Sequence, residues 1–212
     1  MHKLSTYERN NVITHGFGLL LCIIGVPFLL LVSLQNGSIP TSIGIFSFCI
    51  GLLSVYTCST VFHYLVEEKS KRKWRVADHI AIYFLIGGTY TAFILKYCNE
   101  PFGWTFLAIH WSIIAVGIIM KIWYWDLMEK ISIGFYLILG WMVIPAYNHV
   151  FAQMTGDIFT LIALGGLCYT VGVVFYAWNK YEINHAIWHV FVMLGSGFHF
   201  FGIYHAIPMG VG

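Results

Sequence analysis

Charge is the first thing this sequence is short of: only 9% of its 212 residues are Asp, Glu, Lys or Arg, against 59% apolar. A water-soluble domain of this size needs a polar skin that so few charged residues cannot supply. Proline is scarce too, five in all, so long stretches run without a helix breaker. The five cysteines, Cys22, Cys49, Cys58, Cys98 and Cys168, are an odd number that lie singly in or near apolar runs, with no Cys-x-x-Cys among them. Disulfides and thiolate metal sites therefore have little support. A formal charge of +2 offers no electrostatic footprint for nucleic acid, and none is expected as a partner. Met1-His2-Lys3 is not followed by a short apolar stretch and a small-residue cleavage site, so the first hydrophobic run is read as an uncleaved helix.

What is abundant is long apolar runs. A hydrocarbon core of roughly 30 Å takes about 20 mostly apolar residues per helical span. The runs predict spans near 15–34, 43–65, 79–97, 104–124, 131–150, 158–178 and 185–206. The expected architecture is all-α: a seven-transmembrane helix bundle forming a single integral membrane domain over 1–212, multi-pass in the cell inner membrane. Pro145 falls inside the fifth span, where it should kink the helix and free a carbonyl that neighbours must satisfy. Trp74, Trp104, Trp123, Trp125, Trp178 and Tyr181 fall near span ends, where amphipathic rings favour the headgroup zone. The 21 glycines suit close helix approach. Gly87-Gly88-Thr89-Tyr90-Thr91 loosely echoes Gly165-Gly166-Leu167-Cys168-Tyr169-Thr170, and we read the echo as chance rather than an inverted repeat.

Lys and Arg accumulate in cytoplasmic loops. With the N-terminus inside, Lys3, Arg9, Lys69, Lys71, Arg72, Lys73, Arg75, Lys121, Lys130 and Lys180 lie on the cytoplasmic side and only Lys96 outside. The N-terminus is therefore expected in the cytoplasm, and the C-terminal segment from Pro208 to Gly212 outside.

Ionisable groups at membrane depth are costly and are functional candidates by default. His63 closes the second predicted span, Asp78 opens the third, and His185 and His189 open the seventh, so topology sends all four to the cytoplasmic end. Glu8, Asn11, Thr14 and His15, at the start of the first span, arrive there too. Residues four apart stack on one helix face, so His185 and His189 can point at a common atom, and Ser59 and His63 share the same relation. Two histidines one turn apart plus a third from another helix give three neutral nitrogens, the set found in catalytic zinc sites that leave a fourth position for water. A carboxylate such as Asp78 suits the surroundings of such an ion, where it offsets charge and hydrogen-bonds a bound water.

Each group also has a plainer reading. The histidine pair could serve interhelical hydrogen bonds. Asp78 could cap the third helix, and Ser59 could bond the carbonyl one turn back. Glu8 to His15 could be a capping and interface cluster. His110, His199 and His205 lie at the wrong depth to join the group and are read as structural.

In order, Glu8-x-x-Asn11-x-x-Thr14-His15, Ser59-x-x-x-His63, Asp78-His79 and His185-x-x-x-His189 resemble the haemolysin III family of bacterial membrane proteins. That family is related to the progestin and adiponectin Q receptors and, more remotely, to alkaline ceramidases. The resemblance covers nearly the whole chain. It implies zinc on His63, His185 and His189, Asp78 holding a water, Ser59 near the site, and Glu8, Asn11, Thr14 and His15 in support. In ceramidase-like members the water attacks a lipid amide while the serine steadies the oxyanion. The long N-terminal region of the eukaryotic receptors has no counterpart in this sequence, so partner binding through it is not expected.

Three functions follow. The first is a zinc-dependent hydrolase of a lipid amide or ester, with membrane lipid as its partner. The second is a non-enzymatic, receptor-like sensor or regulator of membrane lipid or energy homeostasis in which zinc is structural. The third is a haemolytic pore, disfavoured because no ring of charged side chains runs through the spans. The sequence fixes no oligomeric state.

Overall fold

The computed structural model describes residues 4–178 and 180–207. The expectations for Met1-His2-Lys3 and for Pro208 to Gly212 fall outside the described residues. Every regular element among the described residues is helical: α1 Thr6–Asn36, α2 Ile39–Tyr64, α3 Glu68–Tyr97, α4 Pro101–Trp123, α5 Trp125–Trp141, the short α6 Tyr147–Val150, α7 Gly156–Ala177 and α8 Ile183–Ala206. Seven segments are long and apolar enough to cross a membrane, with Trp125–Gln153 acting as the fifth.

Local chemistry sets the helix ends. Ser5 Oγ accepts from Glu8 N at 3.2 Å and so starts α1. Ser38 caps α2 in the same way, followed by Pro40 in the first turn. Glu67 caps α3 through backbone N–H groups of Lys69 at 2.9 Å and Ser70 at 2.7 Å. Hydrogen bonds from Ser70 and then Lys69 hold the Glu67 carboxyl below the usual carboxylate range.

Three boundaries differ from the sequence reading. The first helix begins at Thr6, not near 15, because its opening turns are polar but face the bundle: Asn11 and His15 are buried. The third begins at Glu68, a basic stretch of good helix formers that hydropathy alone passes over. Asp78 is consequently an interior residue of α3, and the capping role considered for it belongs to Glu67. The fifth span breaks after Trp141 into a 3₁₀ turn, Ile144–Ala146, at the proline. Tyr90 repairs the break from α3: its hydroxyl accepts from Val143 N at 2.9 Å and donates to Gly140 O at 2.8 Å.

Polarity runs inside out. Ile24, Leu34 and Ile138 are well exposed, whereas Asn11, His15, Ser59, His63, His110, Lys121 and His189 are buried. Such an arrangement loses free energy in water and gains it in hydrocarbon. α3 is the hub, packed most extensively on α2 and also against α4, α5 and α8; α7 pairs with α8, and α1 lies against α2 and α8. The α2–α3 contact is close because Gly51 meets the α3 backbone at Phe84 and Leu85, and Gly88 meets the α2 backbone at Ser47. It fixes the last turns of α2, with Ser59 and His63, against α3, which carries Asp78.

Candidate metal centre

Seven helix ends lie at one pole of the bundle: the starts of α1, α3, α5 and α8 and the ends of α2, α4 and α7. Of the described basic residues, Arg9, Lys69, Lys71, Arg72, Lys73, Arg75, Lys121, Lys130 and Lys180 belong to this pole and Lys96 to the other. Here His63 lies in the last turn of α2, and His185 and His189 lie one turn apart in the opening turns of α8. One nitrogen from each of the three imidazoles lies within 4.8 Å of the other two, and this is the one such group found among the described residues. The rings of His63, His185 and His189 are 4.6–5.3 Å apart between centroids.

Hydrogen bonds decide which nitrogens are free. A carboxylate oxygen only accepts, so His63 Nδ1 carries the proton and donates to Glu8 Oε2 at 2.6 Å. The lone pair of His63 is thereby left on Nε2, which is buried with no hydrogen-bond partner. Thr14 does the same for His189. Its hydroxyl has one proton, which serves the carbonyl of Asn10 at 3.1 Å or Asn11 at 3.0 Å. Its lone pair then accepts from His189 Nδ1 at 3.0 Å, and the lone pair of His189 also falls on Nε2. Donation of the remote ring N–H to a carboxylate or hydroxyl is how proteins orient metal-binding histidines. A buried, unpaired imidazole lone pair such as that of His63 Nε2 has no good apolar partner, and the three nitrogens together could hold a metal ion.

The remaining supporting residues behave differently. His15 stacks flat on His189, with centroids 3.5 Å apart and planes at 16°. A stacked ring fixes its neighbour but does not share its ligand. The side-chain amide of Asn11 is fully buried without a hydrogen bond. Tyr7, not singled out in the sequence, packs against His63 and His185 at 6.2 and 5.8 Å. Tyr176 packs on His185 at 5.7 Å. Lys71 donates to Glu8 Oε1 at 2.5 Å. In the sequence, Lys71 carried only a topological signal, and neither tyrosine carried any.

Asp78 and Ser59 form a second pair, apart from the three nitrogens. Ser59 Oγ is buried next to the Asp78 carboxylate without a well-formed hydrogen bond to it, and Asp78 does not join the mutually close ligand atoms. The next residue, His79, donates from Nδ1 to Arg75 O at 2.8 Å and has that nitrogen 3.9 Å from Asp78 Oδ2. From a point one helical turn past Asp78, a cavity of about 370 Å³ extends along α3 from Ile82 to Ile94, roughly 18 Å at 1.5 Å per residue. Leu85, Phe93, Trp141, Trp188 and Val192 are among its walls.

The other histidines stand elsewhere. His110 packs on Tyr90 at 4.2 Å, His199 donates from Nε2 to Ile162 O at 3.2 Å, and His205 lies beside Tyr204.

Comparison with known proteins points one way. The family described as Haemolysin-III related matches residues 4–200. The chain is 40% identical over 194 residues to the Hemolysin-3 homolog of Bacillus subtilis (strain 168), covering 92% of the chain and 91% of that protein. It is 37% identical over 202 residues to Hemolysin-3 of Bacillus cereus, covering 95% and 92%. It is also 27% identical over 213 residues to the monocyte to macrophage differentiation factor of Homo sapiens, covering 96% and 86%.

Proposed function

The chain belongs to the Haemolysin-III related family and is a multi-pass cell membrane protein, and we propose that it is a zinc-dependent hydrolase of a lipid amide or ester, built as one membrane domain. The observation that carries the proposal is the meeting of three parts. Three histidines whose nitrogens lie within 4.8 Å of one another share a pole with a carboxylate–hydroxyl pair, and an apolar cavity begins one helical turn past that pair's aspartate.

His63, His185 and His189 are the ligands. Three neutral imidazoles suit a borderline cation such as zinc, and three protein ligands leave a position for water. Zinc bound there supplies a Lewis acid that polarises a carbonyl and brings the pKa of water to about 7. The rest is the work of side chains. Glu8 and Thr14 hold the ligand tautomers, Asp78 orients the attacking water and takes its proton, and Ser59 donates to the oxygen on which negative charge develops. The cavity takes an acyl chain, which removes apolar surface from water and places the carbonyl at the pole. The excess of basic residues at this pole supports a cytoplasmic location, with the N-terminus inside and the site at the level of inner-leaflet headgroups.

Metal analysis of the purified protein, paired with turnover of a panel of labelled lipid amides and esters, tests this. We expect about one zinc per chain, lost in His63→Ala, and hydrolysis abolished in Asp78→Ala with the zinc retained. Protein that carries no zinc, or a His63→Ala variant with unchanged content, removes the ligand assignment.

One observation favours a second reading, a receptor-like sensor or homeostasis factor. The ligands come from α2 and α8, so an ion would tie two separate helices whether or not it reacts. Bound zinc with no turnover by wild type or Asp78→Ala on the whole panel selects this reading. A pore has less support. Two relatives are named for haemolysis, but the cavity within this bundle is walled by apolar side chains.

A further inference from the structure

We propose that Lys71 is a positioning residue for the metal centre, fixing the Glu8 carboxylate that in turn orients His63. The proposal rests on the reading of His63, His185 and His189 as metal ligands.

Glu8 sits in the first turn of α1 and must hold one oxygen at 2.6 Å from His63 Nδ1. A glutamate side chain has several rotatable bonds, and this one is 18% exposed, so a single contact to a ring would leave it free to swing towards solvent. Lys71 engages the other oxygen at 2.5 Å. With both oxygens engaged from different helices, the carboxylate plane is set. Lys71 is itself anchored: its ammonium also donates to the carbonyl of Leu65 at 3.2 Å, at the end of α2, and stands 5.2 Å from the Phe62 ring. Leu65 follows the last residue of α2, so its carbonyl has no partner within that helix. One ammonium thus joins the start of α1, the end of α2 and the start of α3 around His63. Charge-assisted bonds of this kind are the stronger ones, and Lys71 is only 20% exposed. Lys71 and Glu8 are 63 residues apart in sequence.

The test is a double-substitution cycle read by zinc affinity, measured by competition with a chromophoric chelator on the full-length chain in nanodiscs. Glu8→Gln should weaken zinc by roughly 10- to 100-fold, the usual effect of removing a partner of a metal-bound histidine. Lys71→Met should weaken it by roughly 10-fold, and Lys71→Arg should keep most of the affinity. Because Lys71 acts through Glu8, the double variant should be no weaker than Glu8→Gln alone. Unchanged affinity in Lys71→Met, even with a lowered melting temperature, overturns the proposal, since Lys71 would then only close the α2–α3 turn. A double variant whose loss is the product of the two single losses overturns it as well. Should Lys71→Met not fold, Lys71→Gln gives the same comparison. His63→Ala separates the two levels. If wild type binds zinc no better than His63→Ala, the metal reading itself falls and takes this proposal with it. If wild type binds and only the Lys71 effect is missing, the metal centre stands and the positioning role does not.

Discussion

Thr14 shows how much a single hydroxyl can decide. Its one proton is committed to the α1 backbone, so its lone pair is available to His189 Nδ1, and that fixes which nitrogen of His189 faces the other two histidines. Thr14→Val keeps the volume and removes the acceptor. The ring would lose its tautomeric preference, and zinc affinity should fall by about 10-fold, while Thr14→Ser should stay near wild type. Chelator competition measures both, and a Thr14→Val variant that binds as tightly as wild type would count against the deduced tautomer. At this scale the sequence was readable where chemistry followed spacing. His185 and His189 face one way because four residues make about one turn, and Glu8, Thr14 and His15 could be placed at the same pole as His63. Partnerships between helices were not readable. Nothing in the local sequence says that Lys71, rather than Lys69 or Lys73, reaches Glu8. Nor does it say that Tyr7 and Tyr176 pack against His185, because such contacts depend on helix rotation and packing distance.

Helices were legible as apolar runs, and the errors were confined to ends and breaks. Hydropathy marks where lipid is, whereas a helix ends where its backbone groups find caps. The two differ by nine residues at the start of α1 and eleven at the start of α3, set against the spans expected near 15 and 79. The second difference moved Asp78 from a helix tip into a helix interior. Helix packing, by contrast, was only hinted at by glycine content. A Cβ on Gly51 would stand 2.7 Å from both Leu85 Cα and Phe84 O, backbone atoms that cannot move aside. Gly51→Ala should therefore force α2 away from α3 and cost about 1–3 kcal/mol, as overpacking does. Gly134 in α5 has nothing within 4 Å of such a Cβ, so Gly134→Ala should be neutral or gain up to about 1 kcal/mol from helix propensity. Melting temperatures in one detergent compare them. If the two variants shift alike, the close α2–α3 contact is not what holds the pole together.

The whole molecule has a polarity of its own, and it determines which compartment the centre serves. Nine basic residues named above sit at the pole with the three histidines, and Lys96 sits near the other end at the last turn of α3. Basic residues resist translocation, whereas Asp and Glu contribute little to orientation, so the histidine pole should face the cytoplasm. The same α3 carries markers for both sides. Lys73 lies in its exposed first turns and Lys96 at its far end, roughly 35 Å apart at 1.5 Å per residue, about the thickness of a hydrocarbon core. In a variant whose five native cysteines are replaced, Lys96→Cys should react with a membrane-impermeant maleimide in intact cells. Lys73→Cys should react only after permeabilisation. The reverse pattern would put the centre outside, where a lipid substrate would have to come from the outer leaflet. Labelling of both positions in intact cells would mean that α3 does not cross. With Lys73 inside, the Asp78–Ser59 pair lies at inner-leaflet headgroup depth and the apolar cavity runs from it toward the bilayer midplane. That is the geometry a membrane lipid needs in order to present its carbonyl at the histidine pole while its chain stays in an apolar environment.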